Sequence, residues 1–307
     1  MRKLFLSCFM FVILIFSFGS MAMAANSEAY SLNVNGVQIN DQKPVIIDQT
    51  TMVPIRTVSL ISNLEVNWDN KTKTVTVMNT TSKETLKLTL NKREAYKGST
   101  KLNLRVSPRN INGSIYVPLR FIGESMDAYV AWDVESKTAV IYNSDVDGAD
   151  ESKDIALTRE AVLSLPRISL QEHIATTSES HITEYYFPYG KTQKFYIIDK
   201  DIVQYYEVKN HAAWEIWEGK ISDMANLTNQ TGDKDVVPNL VHTVSKEWGK
   251  RPTYSGAYIS FIDEWMYDKV TYDMIDDNGK RTELGSFTRS DNTEPFIIAI
   301  EGEERLD

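Results

Sequence analysis

The chain has 307 residues, 42% of them hydrophobic, with 33 Lys+Arg against 42 Asp+Glu for a net charge of −9. Its one cysteine, Cys8, lies in the N-terminal apolar run, so a chain processed after that run has no disulfide, thiolate metal site or cysteine nucleophile. A chain of this length buries enough core without cross-links and suits two domains.

Residues 1–24 read as a signal peptide. Arg2 and Lys3 form a positive start, Leu4 to Phe18 is almost unbroken apolar sequence, and Ala22-Met23-Ala24 supplies the small residues of a cleavage site. The run is 15 residues, short against the roughly 20 needed for a span. The competing reading is a retained anchor; a lipoprotein is disfavoured because Cys8 comes too early in the run. No later stretch is long and apolar enough to span a bilayer, and the C-terminus has neither a wall-sorting motif nor a hydrophobic tail. The expected location is therefore extracellular, with any attachment to the cell wall noncovalent.

Charge divides the remainder. Residues 25–145 hold 14 Lys+Arg against 12 Asp+Glu, whereas residues 146–307 hold 17 against 30. Such a shift marks a boundary, and the acidic half is a poor partner for nucleic acid.

Residues 52–79 and 116–143 align without a gap at an offset of 64, with nine identities in 28 positions. Pro54, Arg56, Trp68 and Asp69 of the first copy match Pro118, Arg120, Trp132 and Asp133 of the second. A self-similar period fixes the architecture. Each proline suits the first turn of a helix, and Leu119, Ile122 and Met126 form one apolar helical stripe. A hairpin follows, in which Asp69 or Asp133 can accept backbone N–H bonds at the turn. The two tryptophans are expected in equivalent buried sites. Asn35-Gly36 and Lys97-Gly98 mark further hairpin turns.

The string Val117-Pro118-Leu119-Arg120-Phe121-Ile122-Gly123-Glu124-Ser125, with Val130-Ala131-Trp132-Asp133 and Lys137-Thr138, resembles the repeated motif of the copper amine oxidase N-terminal domain-like (stalk domain) family. The resemblance covers about residues 30–145. Leu60 replaces the motif's glutamate in the first copy, and Asp127 stands where the family has glycine. It implies a non-catalytic stalk module of the kind found in secreted Gram-positive proteins. Amine oxidation belongs to a separate domain with copper on three histidines and a tyrosine-derived quinone. The sequence has His173, His181, His211 and His242, no His-x-His pair and no Asn-Tyr-Asp or Asn-Tyr-Glu string. Neither an amine oxidase nor any cofactor or metal site is expected.

Residues 146–157 read as an acidic linker. Asp145, Asp147, Asp150 and Asp154 invite a calcium-loop reading, but glycine falls at position 4 rather than 6. From residue 158 to 307 an acidic α+β domain is expected. A helix opens at Thr158 and ends at Pro166; strands follow at 181–187, 193–198, 202–208 and 212–218. A second helix is expected over Pro238–Trp248, with Leu240, Val241, Val244 and Trp248 on one side, and strands over 256–262, 265–274, 281–288 and 296–300. The order of one helix and four strands thus appears twice, although residue identities do not support a duplication. The fold class expected for the whole chain is α+β, a duplicated hairpin and short-helix module followed by a separate antiparallel α+β domain.

This half carries Trp214, Trp217, Trp248, Trp265 and ten of the fifteen tyrosines. Strict alternation puts Trp214 opposite in facing to Trp217, and Trp265 on one face with Tyr267. Exposed rings among carboxylates suit sugar stacking, so Trp214, Trp217, Trp265 and Tyr267 are candidate ligand-binding residues, against the alternative that they are core. Glu215 with Glu218, or Asp263, Glu264 and Asp268, could supply a glycosidase pair. No Gly-x-Ser-x-Gly elbow, His-Glu-x-x-His helix or phosphate loop is present, and His211 and His242 stand isolated. No catalytic residue is therefore assigned. The expected function is non-catalytic surface association, the first module displaying a binding domain toward wall polysaccharide or peptidoglycan. The alternative is a secreted hydrolase acting on such material.

Overall fold

The computed structural model describes residues 30–144, 151–222, 244–253, 256–288 and 297–307. The expected signal peptide, the part of the linker around Gly148, and Leu240 and Val241 of the expected second helix lie outside the described residues.

The first half runs β1 (Ser31–Val34), β2 (Val37–Gln38), β3 (Val45–Ile47), β4 (Thr50–Pro54), α1 (Ile55–Val58), β5 (Leu64–Asp69), β6 (Thr74–Asn79), β7 (Thr85–Thr89), β8 (Glu94–Lys97) and β9 (Thr100–Asn103). It continues through β10 (Arg109–Ile111), β11 (Ser114–Pro118), α2 (Leu119–Ser125), β12 (Tyr129–Asp133) and β13 (Thr138–Tyr142). Each repeat is thus a strand, a short helix and a hairpin. The two copies meet through β4 and β11, which pair antiparallel with Met52 opposite Pro118, Val53 opposite Val117 and Pro54 opposite Tyr116. At an offset of 64 this register is symmetric about Val53 and Val117, so an approximate two-fold axis relates the copies. Side chains repeat the exchange. Asn79 Nδ2 donates to Met126 O at 3.4 Å, and its counterpart Asn143 Nδ2 donates to Ser62 O at 3.4 Å.

The motif residues divide by role. Pro54 and Pro118 are buried, whereas Arg56 and Arg120 are exposed. Trp68 and Trp132 occupy corresponding positions and pack on one core with Val53, Val117, Leu119 and Ile122, but both are half-buried rather than buried. Asp69 accepts from Lys71 N at 2.7 Å and Thr72 Oγ1 at 2.8 Å; Asp133 accepts from Ser136 N at 2.7 Å and Ser136 Oγ at 2.6 Å. Asn63 and Asp127, also corresponding residues, adopt φ of +61° and +60°. Short polar side chains tolerate that left-handed region, which accounts for aspartate where the motif has glycine.

The second half holds α3 (Ile155–Ser164), β14 (Arg167–Ile168), β15 (Ile182–Pro188), β16 (Lys194–Asp199), β17 (Ile202–Lys209), β18 (Ala212–Ile221), β19 (Val244–Gly249), β20 (Tyr258–Glu264), β21 (Lys269–Ile275) and β22 (Arg281–Thr288). The strands form one nine-stranded sheet of order β14-β18-β17-β16-β15-β20-β21-β22, with β19 also on β18. One face buries Phe187, Phe195, Tyr206 and Phe261 with Val162 and Leu163 of α3. The other buries Tyr186, Tyr196, Tyr205 and Trp217. Asp154 caps α3 by accepting from Ala156 N at 3.0 Å and Leu157 N at 3.1 Å. The helix therefore starts three residues before Thr158, inside the expected linker.

The α+β expectation is overturned. Among the described residues 49% are strand and 10% helix, with only three α-helices. Two of these span four and seven residues and form no layer. The expected second helix fails where it is described: Val244 and Trp248 lie on β19, and a bulge at Ser245 sets them on opposite faces, Val244 opposite Ile221 and Trp248 opposite Glu218. With that helix gone, the twice-occurring helix and four strands dissolve into one continuous sheet.

A small cluster joins the halves. Val140 and Tyr142 pack with Ile168 and Ala212, flanked by Ala131, Leu170 and Trp214. Asn33 Nδ2 donates to Ser169 O at 2.8 Å and Tyr142 OH to Asn210 O at 2.9 Å. Gly36, at φ +86°, presses so close that a Cβ there would lie 1.9 Å from Arg167 O.

Candidate functional site

Strict alternation along β18 would send Glu215 and Glu218 to opposite faces, because they are three apart. A bulge intervenes. Tyr205 pairs with Trp217 and Tyr206 with Glu215, which leaves Ile216 without an opposite residue. Beyond the bulge Gln204 pairs with Glu218. Gln204 and Tyr206 share a face of β17, so Glu215 and Glu218 share one too. By the same register Trp214 and Trp217 both take the other face, opposite Glu207 and Tyr205.

The two carboxylates converge on His173, in the segment after β14. His173 Nδ1 lies 2.7 Å from Glu218 Oε2 and 3.6 Å from Glu215 Oε2. Gln204 Nε2 donates to Glu215 Oε1 at 2.8 Å and to Glu218 Oε2 at 3.1 Å. Glu218 Oε1 accepts from Ile174 N and, at 3.3 Å, from Trp248 Nε1. Glu218 is fully buried and Glu215 nearly so, whereas His173 is exposed. Among the described residues these three form the one group of three or more His, Cys, Asp or Glu whose ligand atoms all lie within 4.8 Å of one another.

Electrostatics separates the pair. Burial pushes the Glu215 carboxyl up to about 7, and the Glu218 charge adds to this against the pull of Ser169, His173 and Gln204. Burial also works on Glu218, but the bonds from His173 and the Ile174 N–H hold its carboxyl below the ordinary range. The Glu218 bond raises the His173 imidazole.

The segment carrying His173 is pinned at both ends. Upstream it is held by the Asn33 bond to Ser169 O, and downstream by Asp201, whose carboxylate accepts from Thr177 Oγ1 at 2.9 Å and from Thr176 Oγ1. Lys220 Nζ sits 3.4 Å from Asp201 Oδ2 and donates to Ala175 O at 2.9 Å. Burial raises the Asp201 carboxyl, but the threonine bonds and Lys220 outweigh it and bring it down from 3.8 to about 2. A depressed carboxylate stabilises the fold above its unfolded value and loses that contribution as pH falls through the folded one. Stability should therefore decline between pH 4 and pH 2, and Asp201→Asn should flatten that decline. Unfolding midpoints measured from pH 5 to pH 2 check it.

The aromatic candidates separate. Trp217 is fully buried and donates from Nε1 to Glu247 Oε2 at 2.9 Å. Trp214 packs edge-on to Tyr142 of the first half at 6.2 Å and belongs to the joining cluster. Neither offers a free ring. Trp265 and Tyr267 are not on a strand: they form a 3₁₀ turn, Trp265–Tyr267, between β20 and β21, closed by Asp268 at φ +47°. Trp265, Met266 and Tyr267 are 51%, 57% and 75% exposed. His181 packs edge-on to Trp265 at 4.9 Å. Beside it lies a depression of about 530 Å³ lined by Ser178, Glu179, Ser180, Asp199 and Lys200. The second carboxylate group does not gather, since Asp263 is buried, Glu264 half-buried and Asp268 exposed at the turn.

Sequence reasoning named Glu215 and Glu218 but missed His173 and Gln204. Only the bulge brings these four together, and it leaves no local signature in the chain.

The model of the family described as "Copper amine oxidase N-terminal domain" matches residues 33–141. A protein named "Protease inhibitor" from Brevibacillus choshinensis is 31% identical over 137 residues, which cover 42% of this chain and 40% of that protein. The chain thus spans about two fifths of that relative's length. No solved structure matches.

Proposed function

We propose that the protein is exported and non-catalytic, with a stalk-like first module that associates with the cell surface and a second half that binds wall polysaccharide or peptidoglycan. The observation that carries this reading is the Trp265–Tyr267 turn. Most rings of the second half are spent in the core, yet three consecutive large apolar side chains stand in solvent at one loop tip. Exposed apolar patches with polar rims mark binding sites. Here the rim supplies two serines, a glutamate, an aspartate and a lysine for sugar hydroxyls. The family match supports the first part, because it is to an N-terminal domain and not to the catalytic one.

A hydrolase at Glu215 and Glu218 is less well supported. Retaining glycosidases hold their carboxyl groups about 5–5.5 Å apart and inverting ones further, whereas these ligand atoms lie within 4.8 Å and Glu218 has no exposed surface. The relative's name favours a second reading, in which the apolar tip engages a secreted protease. Loss of protease activity on adding the protein would support it.

Sedimentation with purified insoluble peptidoglycan tests the leading reading. The wild-type chain should co-sediment, and Trp265→Ala/Tyr267→Ala should bind at least about fivefold more weakly, given about 0.5–1.5 kcal/mol per stacked ring. Equal binding by the variant would remove the tip from the account.

A further inference from the structure

The group around His173 has a feature that hydrogen bonding alone leaves unexplained. Glu215 Oε2 is buried and has no hydrogen-bond partner among the described residues. It faces Glu218, a second buried carboxylate, and one imidazole. Two buried carboxylates against a single protonatable ring lack a compensating positive charge, and such charges are costly unless paired or bound to metal. Gln204 holds an oxygen of each carboxylate from the sheet side. Glu215 Oε2 and Glu218 Oε2 both face His173 Nδ1, and the ring is 59% exposed.

We propose that His173, Glu215 and Glu218 bind one divalent transition-metal ion of the zinc class, with solvent completing the coordination. One imidazole nitrogen with two carboxylates is a mixed N/O donor set of the kind zinc accepts. Calcium takes six to eight oxygens, and this set supplies too few. The distances fit a small ion. Two ligand atoms on a tetrahedral zinc with 2.0–2.1 Å bonds lie roughly 3.3 Å apart, close to the 3.6 Å between His173 Nδ1 and Glu215 Oε2. The 2.7 Å contact to Glu218 Oε2 is the hydrogen bond that the ion would replace. A small rotation of the exposed ring opens it and releases the Nδ1 proton. Gln204 then becomes an outer partner that fixes both carboxylates. The ion would tie the His173 segment to β18 and β17.

The test uses the full processed chain, stripped with a chelator and dialysed. Zinc titration by calorimetry should show one ion per chain, metal analysis after desalting should recover it, and zinc should raise the melting temperature. His173→Ala removes an exposed ligand without opening the core. It should lose zinc binding, and zinc should no longer raise its melting temperature. Gln204→Met should weaken binding about 10–100-fold. Excess calcium should not displace the zinc. Absence of stoichiometric zinc uptake, uptake unchanged in His173→Ala, or displacement by calcium would each overturn the assignment.

Discussion

Glu303→Ala is expected to cost about 3–5 kcal/mol of stability, the range for stranding one partner of a buried ion pair. Arg159 on α3 and Glu303 in the C-terminal segment are both without exposed side-chain surface. Arg159 NH1 and NH2 donate to Glu303 Oε2 at 2.8 Å and Oε1 at 2.6 Å, a two-pronged geometry that lysine does not reproduce. The guanidinium also stacks 5.0 Å over Phe187, and Glu303 Oε1 accepts from Gly190 N at 2.7 Å. Removing the carboxylate leaves a full charge in the core and an unpaired amide in the turn after β15. Arg159→Met/Glu303→Leu should recover most of the loss, because the pair's own Coulomb gain barely exceeds its desolvation. Urea unfolding of the two variants measures this. A loss below 1 kcal/mol in Glu303→Ala would mean that the C-terminal segment is not docked as described.

Trp217→Ala should cost a similar amount, about 3–5 kcal/mol, whereas Trp265→Ala should stay within about 0.5 kcal/mol of wild type. The contrast follows from burial. The Trp217 ring is 0% exposed and lies over Gly219, where an added Cβ would come within 2.7 Å of the ring. Its Nε1 proton is satisfied by Glu247, a bond the deletion also removes. Trp265 contacts solvent over half its surface. Thermal unfolding of both variants decides between core and platform for each ring, and a stability loss at Trp265 matching that at Trp217 would contradict the division.

The repeat was legible because both copies keep their residues in register. A 64-residue offset and paired Trp-Asp dipeptides need no long-range knowledge. The two-fold exchange between Asn79 and Asn143 was not, since it depends on β4 meeting β11 across the core. In the second half, hairpins with Gly or Asn turns stood out, and Arg281–Thr288 matches the expected strand. The helix error at 244–248 came from apolar residues at helical spacing on a strand whose alternation a bulge at Ser245 interrupts. The Trp265 error came from extending strand alternation through residues that turn. The His173 site joins residues 42 and 45 positions apart through a bulge, and the Arg159 pair spans 144. Local pattern carries no information about either.

The proposed function is binding without degradation. Its most direct test is a time course of insoluble peptidoglycan incubated with the wild-type chain, following retained protein and released soluble fragments together. Retention that depends on Trp265 and Tyr267, with no release above a protein-free control, is the expected result. Release of soluble fragments that Glu215→Gln or Glu218→Gln abolishes would contradict the account and establish the hydrolase in its place.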